Sequence, residues 1–412
     1  MSRATIITEK MVFGGDCIAK IDGKTVFVPY AVPGETLDVE IEKDFRDYSV
    51  AKILSVEKPS PHRTVPVCPL YGICGGCSMQ HIDSAYQEKL RADILRDAFL
   101  REGVNVPEIK VIRASPFGYR CRFQFHDGGL MKRGSNEVID VDHCPIATDE
   151  INRWLSSTSR EKRPSGRVHV FGSDRIVSSS NDGVVVARER ERNSGMEMPV
   201  RGKGKKQKKI KPRFEGTSAS EENKCTVNLL GHEITFDVQG FFQSNLNVLE
   251  KAIPVATGGL SGGNALDLYS GCGTFAVFLS DRFSNVTLVE HNRDALVYAE
   301  TNLQGKKHES YGLSGETWAS YHAEGIMKRN GPFDAAVVDP PRSGIEKAAC
   351  KWLSSSGIPH IRSVSCDTAT HARDAKFLTR AGYRLSELYL LDFYPQTCHI
   401  ESLALFDRQE PL

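Results

Sequence analysis

Four cysteines have the spacing of a metal-binding set. Cys68, Cys74 and Cys77 read Cys-x5-Cys-x2-Cys, with Gly72, Gly75 and Gly76 giving the chain room to wrap, and Cys144 in Asp142-His-Cys-Pro145 offers a fourth thiolate. Four thiolates suit zinc or an iron–sulfur cluster. Spacing alone leaves both open, although three close cysteines and a distant one lean toward [4Fe-4S]. His81 and His143 lie near the set and read as outer-shell or surface residues. A second group of residues carries acids and glycines. The run Asp267-Leu-Tyr-Ser-Gly271-Cys-Gly273 follows a short apolar stretch, Glu290 comes 23 residues after Asp267, and Asp339-Pro-Pro-Arg-Ser-Gly344 ends another such stretch. The loop is neither Gly-x-Gly-x-x-Gly nor a P-loop, so a cationic or uncharged nucleoside fits better than a phosphate ligand. An acid at the Glu290 offset can accept from both ribose hydroxyls. Carboxylates at strand ends suit a sulfonium cation, which favours S-adenosylmethionine (SAM) over a nicotinamide. A lone Cys366 reads, by position only, as a small buried hydrophobe.

These residues need elements to hold them. Residues 1–60 alternate as short strands, as in Lys24-Thr-Val-Phe-Val28 and Leu37-Asp-Val-Glu-Ile41, with turns at Gly14-Gly15, Asp22-Gly23 and Pro33-Gly34. They fit a five-stranded barrel of the oligonucleotide-binding type. Ile82, Tyr86, Leu90, Ile94 and Ala98 fall four apart, predicting one helix face that Asp83 caps and Gly103 stops. Residues 61–240 read as a β-rich central unit interrupted by a basic loop over 188–224. In its middle, at 201–213, eight of thirteen residues are Lys or Arg and none is acidic. Such a run is an RNA tether or a solvated insertion, and composition does not choose. Over 241–412 short apolar runs alternate with helical patterns, predicting a doubly wound parallel sheet. Its last two strands, Leu385–Phe393 and Ser402–Phe406, have no helix between them and are expected as a hairpin at the sheet edge.

The chain has 412 residues, 40% hydrophobic and 25% charged, with a formal net charge of +1. That is the composition of a soluble globular protein of two or three domains. No apolar run approaches the ~18 residues of a membrane span, and the first residues lack an apolar signal core. A cytoplasmic, non-membrane protein acting as a monomer is expected. Any electropositive surface has to be local. Eleven cysteines, an odd number without an export signal, point to metal or catalysis before disulfides.

Five segments, in order, resemble the RNA uracil-5 methyltransferase family: Phe241-Phe-Gln-Ser-Asn245, Asp267–Thr274, Asp339–Arg342, Val364-Ser-Cys366 with Ala369-Thr370 and Ala372-Arg-Asp374, and Pro395-Gln-Thr-Cys-His-Ile-Glu401. The resemblance extends to the barrel and the cysteine set but not to 201–213. It implies a class I SAM-dependent methyltransferase domain over 241–412, an N-terminal TRAM barrel of the OB type, and an iron–sulfur central domain with a [4Fe-4S] cluster on Cys68, Cys74, Cys77 and Cys144. It implies that Cys366 adds to carbon 6 of uracil and that Glu401 removes the carbon-5 proton. Asp339 and Arg342 would orient the uracil, and Gln243, Tyr269, Thr274, Glu290 and Asp339 would serve SAM. Family members with both barrel and cluster act mostly on 23S ribosomal RNA, and those acting on tRNA uridine-54 generally lack both, so 23S rRNA is expected. One departure stands out. Asp367-Thr368 replaces the usual Asn-Pro after the nucleophile, predicting a looser turn and a carboxylate that raises the thiol's pKa. Two other classes compete: a nitrogen methyltransferase, which needs no Cys366, and a non-catalytic RNA-binding protein.

Overall fold

The computed structural model describes residues 2–177, 183–188 and 223–409. The basic stretch 201–213 lies outside them.

The chain begins with six strands: β1 (Arg3–Ile7), β2 (Lys10–Met11), β3 (Cys17–Ile21), β4 (Lys24–Val28), β5 (Thr36–Asp44) and β6 (Tyr48–Lys58). They form one sheet in the order β1-β5-β6-β4-β3-β2. The expected alternation holds, with Val26, Val28, Leu37 and Val39 buried on the inner face. There are six strands rather than five because Lys10–Met11 folds back on Cys17–Ile18 around Gly14 and Gly15, whose φ values of +99° and +89° permit the tight return. The barrel does not close its own core. Met79, Ile82 and Leu90 from the next segment complete it.

Helix α1 (Ser84–Arg101) starts where expected, Asp83 accepting from Tyr86 N at 2.9 Å. It has two packed faces, not one. Tyr86, Leu90 and Ile94 pack on the barrel core, whereas Leu95 and Phe99 enter the core of the large sheet. Next comes β7 (Ile109–Ile112), followed by β8 (Arg122–His126), β9 (Leu130–Met131), β10 (Val138–Ile139), α2 (Asp149–Ser157), β11 (Arg167–Gly172) and β12 (Val184–Arg188). β12-β11-β8 make a three-stranded sheet and β9-β10 a small ribbon, packed on α2 through Phe123, Phe125, Ile151 and Leu155. The hairpin of β13 (Lys224–Leu229) and β14 (His232–Asp237) shares its core with the C-terminal half.

The C-terminal half runs α3 (Leu246–Thr257), β15 (Gly262–Leu268), α4 (Thr274–Leu279), β16 (Phe283–Val289), α5 (Arg293–Asn302), β17 (His308–Tyr311), α6 (Gly315–Tyr321), α7 (Ala323–Asn330), β18 (Ala335–Val338), α8 (Lys347–Ser355), β19 (His360–Ser365), α9 (Thr368–Arg380), β20 (Tyr383–Leu391) and β21 (Glu401–Arg408). The sheet order is β17-β16-β15-β18-β19-β21-β20-β7. β15 to β19 are parallel, β21 is antiparallel to both its neighbours, and β7 is parallel to β20. From β15 the chain builds outward to β17, then crosses to the other side at β18. That reversal opens a crevice between β15 and β18 at their carboxyl ends.

Two features depart from the sequence reading. The β20–β21 hairpin is not the edge, because β7 pairs along Leu388–Leu391 of β20 and covers a backbone edge that would otherwise be exposed. Also, α1 and β7, both inside 61–240, belong to the layers of the large sheet. Among the described residues no helix is long and apolar enough to cross a membrane.

Candidate active site

The cofactor side is built at the switch point. β15 ends at Leu268, and Tyr269 turns with φ +67°, followed by Gly271 at +55° and Gly273 at +80°. A left-handed tyrosine persists only where its surroundings hold it. Here Tyr269 N donates to Val289 O at 2.8 Å, and its hydroxyl lies 3.3 Å from the Glu346 carboxylate. Glu290, just past β16, accepts from Gly271 N at 2.9 Å and from Asn292 N at 2.6 Å. Gln243 is fixed by its neighbours: Phe242 stacks on Phe236 with ring centroids 3.9 Å apart, and Asn245 caps α3.

Three buried polar atoms in this region have no hydrogen-bond partner: Gln243 Oε1, Asp267 Oδ1 and Ser270 Oγ. Groups like these are costly unless a ligand satisfies them. The acids tell the same story. Burial pushes Asp267 up to about 8, and the charges acting on it, Asp339 and Glu290, are both negative. Burial and then Glu290 push Asp339 up to about 7. A cation placed among them would relieve this repulsion. The residues therefore fit a nucleoside carrying donors and a sulfonium. Asp267 and Ser270 join the candidate set on this ground, and the sequence signal for the first is an acid ending an apolar strand just before a glycine turn. Thr274, the first residue of α4, lies 3.5 Å from Cys272 Sγ. Cys272 itself is buried, its thiol pushed up to about 11 chiefly by burial.

The sequence-predicted pair Cys366 and Glu401 lies beyond β18, at β19 and β21. Cys366 follows the last residue of β19, and Glu401 is the first residue of β21. The register pairs Ser365 with Ser402, so the two side chains occupy adjacent strand ends although 35 residues separate them in sequence. Burial, then Glu401 and Asp339, push the Cys366 thiol up to about 11, while Arg342 pulls it down. Burial and then Asp339 push Glu401 up to about 8, again opposed by Arg342. Arg342 is exposed and therefore open to a substrate. Behind the pair, buried His371 places Nδ1 2.7 Å from Ser402 Oγ, which in turn donates to Ser365 O at 3.4 Å. Burial pushes His371 down to about 4, so it braces both strand ends as a neutral ring. No sequence signal marks that histidine.

Asp367 behaves differently from expectation. Its carboxylate caps α9, accepting from Ala369 N at 3.1 Å and Thr370 N at 2.9 Å, and Ser365 Oγ bridges the turn. The turn is held rather than loose. The acids that raise the Cys366 thiol are Glu401 and Asp339, because the Asp367 charge is engaged by the helix N-terminus. Asp367→Ala is expected to destabilise the protein by about 1 kcal/mol, measured by urea unfolding.

The cysteine set lies far from this pair in the chain. Cys68, Cys74, Cys77 and Cys144 are all half-buried. Each lies close enough to at least one other for their charges to interact: Cys74 and Cys144 act on Cys77, and Cys68 acts on Cys74 and Cys144. Arg120 opposes the rise of three of them. Gly76 N donates to Cys74 Sγ at 3.3 Å, Gln80 Oε1 holds Cys68 N at 3.1 Å, and the buried Gln80 Nε2 has no partner. Among the described residues no three His, Cys, Asp or Glu side chains are gathered as around one metal ion. His81 bonds Tyr71 and Ala31 O through its two nitrogens, and His143 is exposed. Cys17, Cys121, Cys225 and Cys350 are buried.

Comparison with known proteins gives the same outline. Residues 221–409 match the family described as tRNA (Uracil-5-)-methyltransferase, and residues 3–54 match the TRAM domain. An "Uncharacterized RNA methyltransferase" of Treponema denticola is 36% identical over 98% of this chain and 99% of its own. A "23S rRNA (uracil(1939)-C(5))-methyltransferase RlmD" of Chromohalobacter salexigens is 28% identical over 94% of this chain and 86% of its own. The crystal structure of the Pyrococcus abyssi tRNA (uracil-54, C5)-methyltransferase with S-adenosyl-L-homocysteine superposes with a TM-score of 0.69 at 22% identity, covering 98% of this chain and 100% of that one.

Proposed function

The chain belongs to the tRNA (uracil-5-)-methyltransferase family and is a SAM-dependent RNA (uracil-5-)-methyltransferase, and from that premise we propose that it methylates a uridine of 23S ribosomal RNA in the cytoplasm through a transient bond from Cys366 to the ring. Carbon 5 of uracil is a poor nucleophile. The Cys366 thiolate adds to carbon 6, and the electron pair of the 5,6 double bond moves to the enolate, which Arg342 faces. When bound, SAM supplies an electrophilic methyl group on a sulfonium. Carbon 5 would take that methyl and become tetrahedral, the methyl–sulfur bond breaking with its electron pair left on sulfur as the neutral thioether of S-adenosylhomocysteine. Glu401 then removes the proton on carbon 5, the double bond re-forms, and the Cys366–carbon 6 bond breaks. Gln243, Asp267, Tyr269, Ser270, Thr274, Glu290 and Asp339 serve the cofactor.

The observation that carries this reading is electrostatic. Cys366 and Glu401, on adjacent strand ends, share Asp339 and Arg342 as their charged neighbours. A nitrogen methyltransferase has no use for such a thiol. The ribosomal substrate draws support from the name of the 23S rRNA relatives, which match along nearly the whole chain. Mass mapping of RNA from cells lacking this protein should show one 5-methyluridine lost from 23S rRNA and the tRNA T-loop unchanged. Loss in the T-loop instead would overturn the choice of substrate.

A [4Fe-4S] cluster on Cys68, Cys74, Cys77 and Cys144 completes the proposal. The four cysteines reach one another electrostatically and are the donor set that a four-iron cluster takes. Gly76 N donates to Cys74 Sγ, which stabilises a thiolate there. Methyl transfer moves no electron, so the cluster would staple the fold and shape the RNA-facing surface. Anaerobically purified protein should be brown, with about four irons per chain, and Cys68→Ser should lose them. Colourless protein with one zinc would contradict the cluster without touching the methylation.

A further inference from the structure

The general base proposed above follows a loop whose middle is held from the N-terminal half of the chain. Residues 392–400 connect β20 to β21 and end at Glu401. Gln396, in their middle, is buried and has φ +67°. A non-glycine residue in the left-handed region relaxes unless its surroundings hold it. All of its polar groups are held from the N-terminal half. Gln396 N donates to Gln87 Oε1 at 3.0 Å, and Gln87 Nε2 donates to Gln396 Oε1 at 2.9 Å. Gln396 O accepts from Ser78 N and Met79 N, both at 3.0 Å.

The neighbouring residues of the loop follow the same pattern. Cys398 N donates to Ser78 Oγ at 3.0 Å, and Tyr119 OH donates to Pro395 O at 2.8 Å. Arg91 Nη1 stands 2.8 Å from Asp392 and 3.2 Å from Tyr394 O, inside the protein. A Cβ on Gly15 of the barrel would stand 2.7 Å from Cys398 Cβ, so the barrel touches the loop as well. Ser78 directly follows Cys77 in the chain.

We propose that Gln87 and Ser78 are positioning residues for Glu401: together with Met79 and Arg91 they clamp the 392–400 loop, so that removal of the carbon-5 proton depends on the segment after the cysteine set and on α1. This rests on the covalent reading above. The clamp acts on one step. Addition of Cys366 and methyl transfer need β19 and the cofactor crevice, which the clamp does not touch. Proton removal needs Glu401 in place, and a misplacement of about 1 Å can cost roughly 10²-fold.

The test uses Ser78→Ala and Gln87→Leu in the full chain, with a 23S rRNA transcript and SAM under single-turnover conditions. Iron content, thermal unfolding and SAM binding are checked against the unchanged protein. The methylated RNA should remain bonded to Cys366 as a denaturant-resistant adduct. Its release should slow by about 10- to 100-fold, with the KM for RNA unchanged. Gln87→Leu removes buried hydrogen bonds and risks the fold; Ser78→Ala loses a single acceptor and decides the matter if the first fails. Turnover at the unchanged rate, a raised KM with normal release, or turnover lost without adduct would overturn the proposal. Glu401→Gln is the control. If that variant also yields no adduct, the covalent reading itself has failed; if it traps adduct and the clamp variants do not, only the clamp has.

Discussion

Replacing Cys366 with serine is expected to lower kcat by about 10⁴-fold or more, the scale on which covalent nucleophiles fail when removed. SAM binding should be unchanged, since the crevice atoms that fit it belong to β15, β16 and the 241–245 segment. A serine hydroxyl is far less acidic than a thiol and cannot supply the anion that adds to carbon 6. RNA carrying 5-fluorouridine sharpens the result. Fluorine on carbon 5 cannot leave as a proton, so the unchanged protein should stop as a protein–RNA adduct while Cys366→Ser forms none. Adduct on the serine variant would assign the nucleophile elsewhere, and none on the unchanged protein with a proven substrate would turn the reading toward nitrogen methylation. The pH dependence follows from the surroundings of the thiol. Burial with Glu401 and Asp339 nearby holds it near 11 before substrates bind. The thiolate population, and with it adduct formation, should rise with pH across the neutral range. A bound sulfonium among Asp267, Glu290 and Asp339 shifts that rise to lower pH, because it offsets the negative charges that disfavour the thiolate.

Glu401→Gln should lower kcat by roughly 10²- to 10⁴-fold, the usual contribution of a positioned general base. Its effect should fall on the last step, so that methylated RNA stays joined to Cys366. The variant also removes a negative charge beside the thiol, so adduct should form at lower pH than in the unchanged protein. The direction of the kcat profile can be worked out. Glu401, buried beside Asp339, is pushed up to about 8, and only its deprotonated form accepts the proton. Turnover should therefore climb as pH rises toward 8, and that limb should vanish in Glu401→Gln. A profile with the same limb in both proteins would assign the base elsewhere.

The linear motifs carried much of this site. Cys366, Glu401, Asp339 and Glu290 stand at strand ends, and the strand grammar around them is short-range: apolar runs, glycine turns and helical spacing read within about ten residues. The TRAM barrel and the parallel sheet were legible for the same reason. The barrel's small β2 ribbon was not, since two residues show no alternation. Asp367 illustrates a subtler failure. Its charge was visible, but whether that charge faces the thiol or the helix N-terminus is a matter of one backbone turn, and α9 takes it.

The long-range polar contacts were illegible in principle. Gln87 and Arg91, one helical turn apart, have the polarity of a solvent face, yet both are buried and bonded to the 392–400 loop. Likewise, nothing near Asp267 in the chain announces that one of its carboxylate oxygens would lack a partner beside two other acids while Ala276 N holds the other. Amino-acid order by itself determined the strand and helix periodicity and which side chains stand at the strand ends, while the pairing of Cys366 with Glu401 was implied only by the family resemblance. Tertiary structure decided which polar groups are desolvated and who satisfies them, because burial is a property of the surface brought opposite, here from a residue 309 positions away, and local polarity carries no record of it.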